Sequence, residues 1–179
     1  MNNQTIADIY QTNDKIRREL IETISNLPDE RANFLPDGEK WTVAQFVEHL
    51  SMVEDGMTKI SGKLLAEAQS SGNKADGKAV FSESFMKKAA EMQDMKFESP
   101  DRVRPTGTKT VAESLEKMRE TREQLEKLRP LFETVECSDA RFPHPFMGDL
   151  TAHEWLALVG GHEARHLAQI KNLIEKLPG

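Results

Sequence analysis

The chain has 179 residues, of which 37% are apolar and 30% are charged. That composition is typical of a globular domain with a buried core and excludes a disordered or disulfide-stapled chain. The net charge of −6 disfavours nucleic-acid binding, because phosphate backbones are held by clustered positive charge. We therefore expect one domain over residues 1–179, without a nucleic-acid partner.

Two further features predict the compartment. The longest apolar run, residues 155–159, is far too short to span a membrane. The first residues lack the basic and apolar regions of a signal peptide, and a single cysteine, Cys137, cannot form an internal disulfide. We expect a protein of the reducing cytoplasm with no membrane partner.

Apolar side chains recur every three or four residues in four long segments, as in amphipathic helices. We predict helices over about residues 5–26, 42–69, 110–131 and 151–177. The last three begin with a threonine that is followed three residues later by Gln or Glu, which is the capping-box pattern. These threonines are Thr42, Thr110 and Thr151.

The segments between these helices are predicted from proline, glycine and polar runs. Residues 70–109 form a long crossover that includes a short helix over about residues 82–92, and residues 130–149 are turn-like. Four helices with one long connection predict an all-α fold, a four-helix bundle with a crossover between the second and third helices.

Histidine is the most informative residue type in the chain. His162 and His166 are four residues apart, so they share one face of the fourth helix. At about 100° per residue they fall on the apolar stripe of that helix and point inward. Two inward imidazoles need partners, because buried polar groups must be satisfied, and their spacing suits a shared metal ion.

A third ligand is available on the second helix. His49 follows Phe46 by three residues and lies on the flank of the apolar stripe. Metal sites in bundles are built from inward side chains of different helices, so we predict a site formed by His49, His162 and His166. His144 is expected to be a turn residue and His153 a solvated side chain.

The same segment matches a second motif. Residues 162–166 read H-E-x-x-H, the metallopeptidase pattern in which the glutamate is the general base. Gln169 and Asn172 stand where the longer form of that pattern needs glycine and histidine. A zinc metallopeptidase is therefore the less favoured alternative, and Glu163 is predicted to be a helix-surface residue or a residue that supports the metal ligands.

Taken together, the chain resembles the DinB/YfiT-like superfamily of four-helix-bundle metalloenzymes. Three stretches carry the resemblance: residues 41–50, residues 97–100 with 105–107, and residues 144–169. The resemblance implies that His49, His162 and His166 bind one divalent metal ion and that the protein is a homodimer. Characterised relatives include transferases that use low-molecular-weight thiols such as bacillithiol, mycothiol or glutathione, and thiol-dependent isomerases.

The function that we expect is metal-dependent S-transfer. Three neutral imidazoles leave an open coordination position, and a thiol bound there has a lowered pKa. Zinc is the expected metal, although imidazole also suits nickel and iron. Arg165 and Gln169 are candidates to orient an anionic thiol cosubstrate.

The alternative is a non-catalytic bundle that is pinned by a structural ion. Such an ion needs a fourth protein ligand, which His153 or Glu48 would have to supply.

Overall fold

Long helices form the framework of this computed structural model, which describes residues 4–92 and 98–178. In chain order the helices are α1 (Ile6–Ile24), α2 (Asp29–Ala32), α3 (Val43–Gln69), α4 (Glu83–Glu91), α5 (Val111–Thr134) and α6 (Ala152–Ile174). The four longest, α1, α3, α5 and α6, coincide with the predicted helices within a few residues. The all-α four-helix bundle with a crossover between its second and third long helices is confirmed.

Each of the four long helices starts at a threonine cap. The threonine hydroxyl accepts the main-chain N–H three residues on, and the side chain of that residue accepts the threonine N–H. The pairs are Thr5–Asp8, Thr42–Gln45, Thr110–Glu113 and Thr151–Glu154. Local sequence thus fixes where the bundle helices begin, including the three capping boxes that we predicted.

Helix α3 is the central packing element of the bundle, because it lies along both α5 and α6, while α1 packs on α6. Helices α1 and α5 touch much less closely and flank a groove. The core has two apolar clusters at successive levels of the bundle. One includes Ile6, Tyr10, Leu64, Phe132 and Trp155, and the other includes Leu20, Val47, Leu50, Met118 and Ile170.

The connections contain structure that the sequence patterns did not predict. A short 3₁₀ turn, Asp101–Val103, lies in the crossover. Residues 142–150, expected to be turn-like, form an antiparallel hairpin of β1 (Phe142–His144) and β2 (Gly148–Leu150).

Helix α5 also continues past Pro130 to Thr134, beyond its predicted end. Proline has a helical φ and removes only one hydrogen bond there.

Over the described ranges, none of the helices has the length and apolarity that crossing a membrane requires.

Candidate metal centre

Three imidazoles meet where α3 and α6 pack together. The Nε2 atom of His162 lies 3.2 Å from Nε2 of His49 and 3.1 Å from Nε2 of His166. One ligand nitrogen from each ring lies within 4.8 Å of the other two. The structure thus brings together the three histidines that helical phase had selected, across 113 residues of sequence.

The spacing of these nitrogens fits a metal ion. Zn–N bonds of about 2.0–2.1 Å in tetrahedral geometry place two nitrogens about 3.3 Å apart. The two Nε2–Nε2 distances of 3.2 and 3.1 Å are close to that value. This three-histidine group could therefore hold a divalent cation without rearrangement of the helices.

Hydrogen bonds at the opposite side of two rings direct Nε2 toward the centre. Nδ1 of His49 donates to the main-chain oxygen of Val103 at 2.7 Å, and Nδ1 of His166 donates to Oε1 of Gln169 at 2.6 Å. Because an oxygen acceptor requires the proton on Nδ1, the Nε2 lone pair of each ring is left for a metal. Gln169 therefore orients one of the proposed ligands through its Oε1 atom.

Aromatic side chains shield one side of the cluster. The Trp41 ring lies 5.0 Å from the His49 ring, and the Phe46 ring lies 5.5 Å from the His166 ring. Trp41 and Phe46 also contact each other edge to face. His49 is 4% exposed, whereas His162 and His166 are partly exposed. The two rings of α6 are therefore the members of the cluster that solvent reaches.

Burial keeps all three rings neutral. It lowers the pKa of His49, lowers the pKa of His162 strongly, and lowers the pKa of His166 to about 3. Protonation of one ring would also disfavour protonation of the next, which adds to the last two shifts. A metal binds imidazole only in its neutral form. At pH 7 no protons therefore have to leave the rings before an ion binds.

Two arginines lower the pKa values of histidines in this part of the molecule. The positive charge of Arg165 contributes to the lowered pKa values of His162 and His166, and its guanidinium donates to the main-chain oxygen of Met92 at 2.9 Å. Burial, and then the charge of Arg102, lower the pKa of His144 to about 4.

His144 is not the simple turn residue that we predicted. It belongs to β1, and its Nδ1 accepts the main-chain N–H groups of Phe146 and Met147, each at 3.2 Å. Its ring lies 5.3 Å from that of Trp155. The hairpin thereby fixes the tautomer with the proton on Nε2.

The prediction that His153 is solvated is wrong. The side chain is 3% exposed, and its Nδ1 accepts the main-chain N–H of Val80 at 3.2 Å. Glu48 is also engaged, since its carboxylate accepts the Thr106 hydroxyl at 2.6 Å and the Gly107 N–H at 2.8 Å. Among the described residues, neither side chain belongs to the histidine group, so neither supplies the fourth ligand of a closed structural site.

Glu163 does not face the histidines in the way that a peptidase mechanism requires. Its side chain is 2% exposed, which contradicts a helix-surface position, and its Oε1 accepts from Nε of Arg17 at 2.6 Å. A carboxylate held by a buried guanidinium is a poor general base for a water on the metal. The geometry therefore speaks against the metallopeptidase alternative.

Glu163 belongs to a buried group of charges that the sequence interpretation missed. We call Arg17, Glu54, Arg122 and Glu163 the ion cluster. Each of the four long helices contributes one member. Helical phase could have revealed it, since Arg17 lies on the stripe of α1 between Asn13 and Leu20.

Comparison with known proteins agrees with this architecture. The family model of the DinB superfamily matches residues 12–170. The chain is similar to "Uncharacterized protein YuaE" of Bacillus subtilis (strain 168), with 26% identity over 163 residues that cover 90% of this chain and 94% of that protein. No solved structure gives a significant match. Because the family model covers most of the chain, the protein belongs to the DinB superfamily.

Proposed function

We propose that the protein is a divalent-metal-dependent enzyme that transfers a low-molecular-weight thiol to an electrophile. His49, His162 and His166 are the proposed metal ligands, and zinc is the proposed metal. The observation that carries the proposal is the convergence of three Nε2 atoms, two of them held in place by oxygen acceptors at Nδ1. Over residues 4–92 and 98–178 the group has three histidine ligands and no fourth protein ligand, which is the arrangement of catalytic rather than structural zinc sites.

A bound metal ion would act as a Lewis acid that stabilises a thiolate at neutral pH. The protein's own groups bind and orient. Val103 and Gln169 hold two ligand rings, and Trp41 and Phe46 keep water from one side. Arg165 places a positive charge beside the cluster, where it favours an anionic thiol. In the transfer the thiol proton passes to solvent, the sulfur bonds to an electrophilic carbon, and the leaving group departs with its bonding electron pair.

Metal content tests the site. Protein purified without a histidine tag is analysed for metals beside His49→Ala and His144→Asn, which removes a histidine outside the cluster. We expect one ion per chain in the wild type and in His144→Asn, and none in His49→Ala. A wild-type chain that takes up no divalent ion would contradict the proposal.

Catalysis requires a second test. A panel of bacillithiol, mycothiol, glutathione and cysteine is assayed with an aryl halide as electrophile, with and without chelator. Transfer that disappears with chelator and returns with metal supports the enzyme. Metal binding without transfer, together with unfolding on chelation, would instead support the non-catalytic bundle, because a structural ion contributes directly to folding.

We further propose that residues 1–179 form one domain of a cytoplasmic homodimer, on the strength of the family resemblance. Sedimentation at equilibrium measures the oligomeric state, and a mass of one chain at micromolar concentration would contradict the dimer.

A further inference from the structure

The ion cluster forms a charged layer between the two apolar clusters of the core. Arg17 binds Glu54 at 2.5 Å and Glu163 at 2.6 Å. Arg122 binds the same two carboxylates at 3.0 and 3.4 Å. The side chains of Glu54 and Glu163 are 5% exposed or less, so solvent hardly reaches the two carboxylates.

Folding stability alone does not explain why these charged residues are buried in the core. Removing charges from water costs free energy, and buried ion pairs can often be replaced by apolar side chains with no loss of stability. The position of the layer is more informative. Glu163 directly follows the proposed ligand His162 on α6, so whatever holds Glu163 also fixes the rotation of α6 at that ligand.

A small cavity joins His162 to the ion cluster. It has a volume of about 10 Å³, and the residues that line it include His162, Arg17, Glu54 and Glu163. The apolar remainder of the wall is formed by Leu50, Met57, Met118 and Val159. A cavity of this size with several polar neighbours suits a single water molecule.

His162 differs from the other two proposed ligands in its hydrogen bonding. His49 and His166 each donate from Nδ1 to a protein oxygen. In the described parts of the chain, by contrast, the hydrogen-bond contacts of His162 are the two at Nε2. When Nε2 binds a metal, the ring proton is on Nδ1 and needs an acceptor.

We propose that the ion cluster positions His162 for metal binding. Glu54 and Glu163 accept the Nδ1 proton of His162 through one water in the cavity, and Arg17 and Arg122 hold the two carboxylates in place. These four are positioning residues, since they act on the metal through His162. The inference rests on the proposed function in that it takes His162 to be a ligand.

Zinc affinity of matched variants tests this inference. Glu54→Gln and Glu163→Gln keep the shape of the side chain but remove the charge. Asp14→Asn is the control, because Asp14 pairs with Arg122 at 3.1 Å from a side chain that is 48% exposed. Zinc dissociation constants are measured by competition with a chromophoric chelator, and the cobalt(II) absorption spectrum reports the ligand geometry.

We expect zinc binding to weaken about 10–100-fold in the two glutamine variants and to change less than about twofold in Asp14→Asn. The cobalt spectrum should shift in the glutamine variants alone. Unchanged affinity and spectrum in folded glutamine variants would overturn the inference and leave the proposed function standing. A wild-type chain that binds neither zinc nor cobalt would overturn both.

A measurement on the wild type covers the case in which the glutamine variants fail to fold. In the zinc-loaded, ¹⁵N-histidine-labelled protein, the Nδ1 proton of His162 should exchange with water more slowly than that of His166, whose acceptor Gln169 is exposed. Equal or faster exchange at His162 would overturn the inference.

Discussion

The main-chain oxygen of Val103 lies 2.7 Å from Nδ1 of His49, so the crossover between α3 and α5 supports a proposed metal ligand directly. The neighbouring residue, Glu48, binds the same crossover through Thr106 and Gly107. Two consecutive residues of α3, Glu48 and His49, therefore hold the crossover in place.

This arrangement predicts that Glu48→Ala weakens metal binding without removing a ligand. The crossover would lose two hydrogen bonds to a carboxylate, and Val103 would hold His49 less firmly. We expect a loss of about tenfold in zinc affinity and faster proteolysis within residues 98–108. Lys40→Ala, which removes only an exposed ion pair with Glu98, is the control and should leave both unchanged. Equal affinity in Glu48→Ala would contradict this coupling.

Much of the framework and of the candidate site could be predicted from local sequence. Apolar periodicity located the bundle helices, and capping boxes located three of their starts, because both depend on residues three or four apart. The same periodicity placed His162 and His166 on an inward face. His49 lies only on the flank of an apolar stripe, so periodicity supported it less strongly as a ligand than it supported the other two histidines. The family resemblance independently indicated His49.

The remaining features depend on partners that are distant in sequence. His153 is buried because Val80 and Phe132 contact it. The sequence pattern around residue 153 does not indicate either contact. Likewise, Glu163 resembles an exposed or catalytic residue until Arg17, 146 residues away, is found beside it. A surface position was one expectation for Glu163 because isolated charges are rarely buried, but a charge with buried partners does not follow that rule.

Gln169 offers a simple test of the support around the ligands. Its Oε1 accepts the Nδ1 proton of His166 at 2.6 Å, so Gln169→Ala removes the group that orients this ring. We expect zinc affinity to fall about tenfold while the helix remains folded. Lys171→Ala on the same helix, which loses only a surface pair with Glu19, should bind zinc as the wild type does. Competition titration measures both, and equal affinities would show that His166 needs no such support.

The low pKa of His144 predicts acid sensitivity of the metal-free protein. Burial, and then Arg102, hold this pKa at about 4 in the folded state, against about 6.5 in an unfolded chain. Between these values the unfolded state binds more protons, so stability falls as the pH is lowered from 6.5 to 4. His144→Asn cannot titrate but keeps an acceptor for the hairpin N–H groups.

Urea unfolding in the presence of chelator, at pH 7 and pH 5, measures this effect. The loss of unfolding free energy between the two pH values should be smaller in His144→Asn than in the wild type. Arg102→Gln should give a loss between the two, because it removes the second cause of the shift. Identical pH dependence in all three proteins would show that His144 does not contribute.

Gly160 of α6 packs directly against Asn13 of α1. A Cβ atom at this position would lie 2.1 Å from Oδ1 of Asn13, whose amide donates to the main-chain oxygen of Leu156. Gly160→Ala should therefore lower the unfolding free energy by about 1–3 kcal/mol through overpacking. At the next residue, Gly161, a Cβ would meet nothing within 4 Å, so Gly161→Ala should raise it by about 1 kcal/mol through helix propensity. Urea unfolding of both variants, of Asn13→Ala, and of Gly160→Ala combined with Asn13→Ala tests this explanation. If the clash is the cause, the second substitution costs less in the Gly160→Ala protein than in the wild type, whereas additive effects would contradict it.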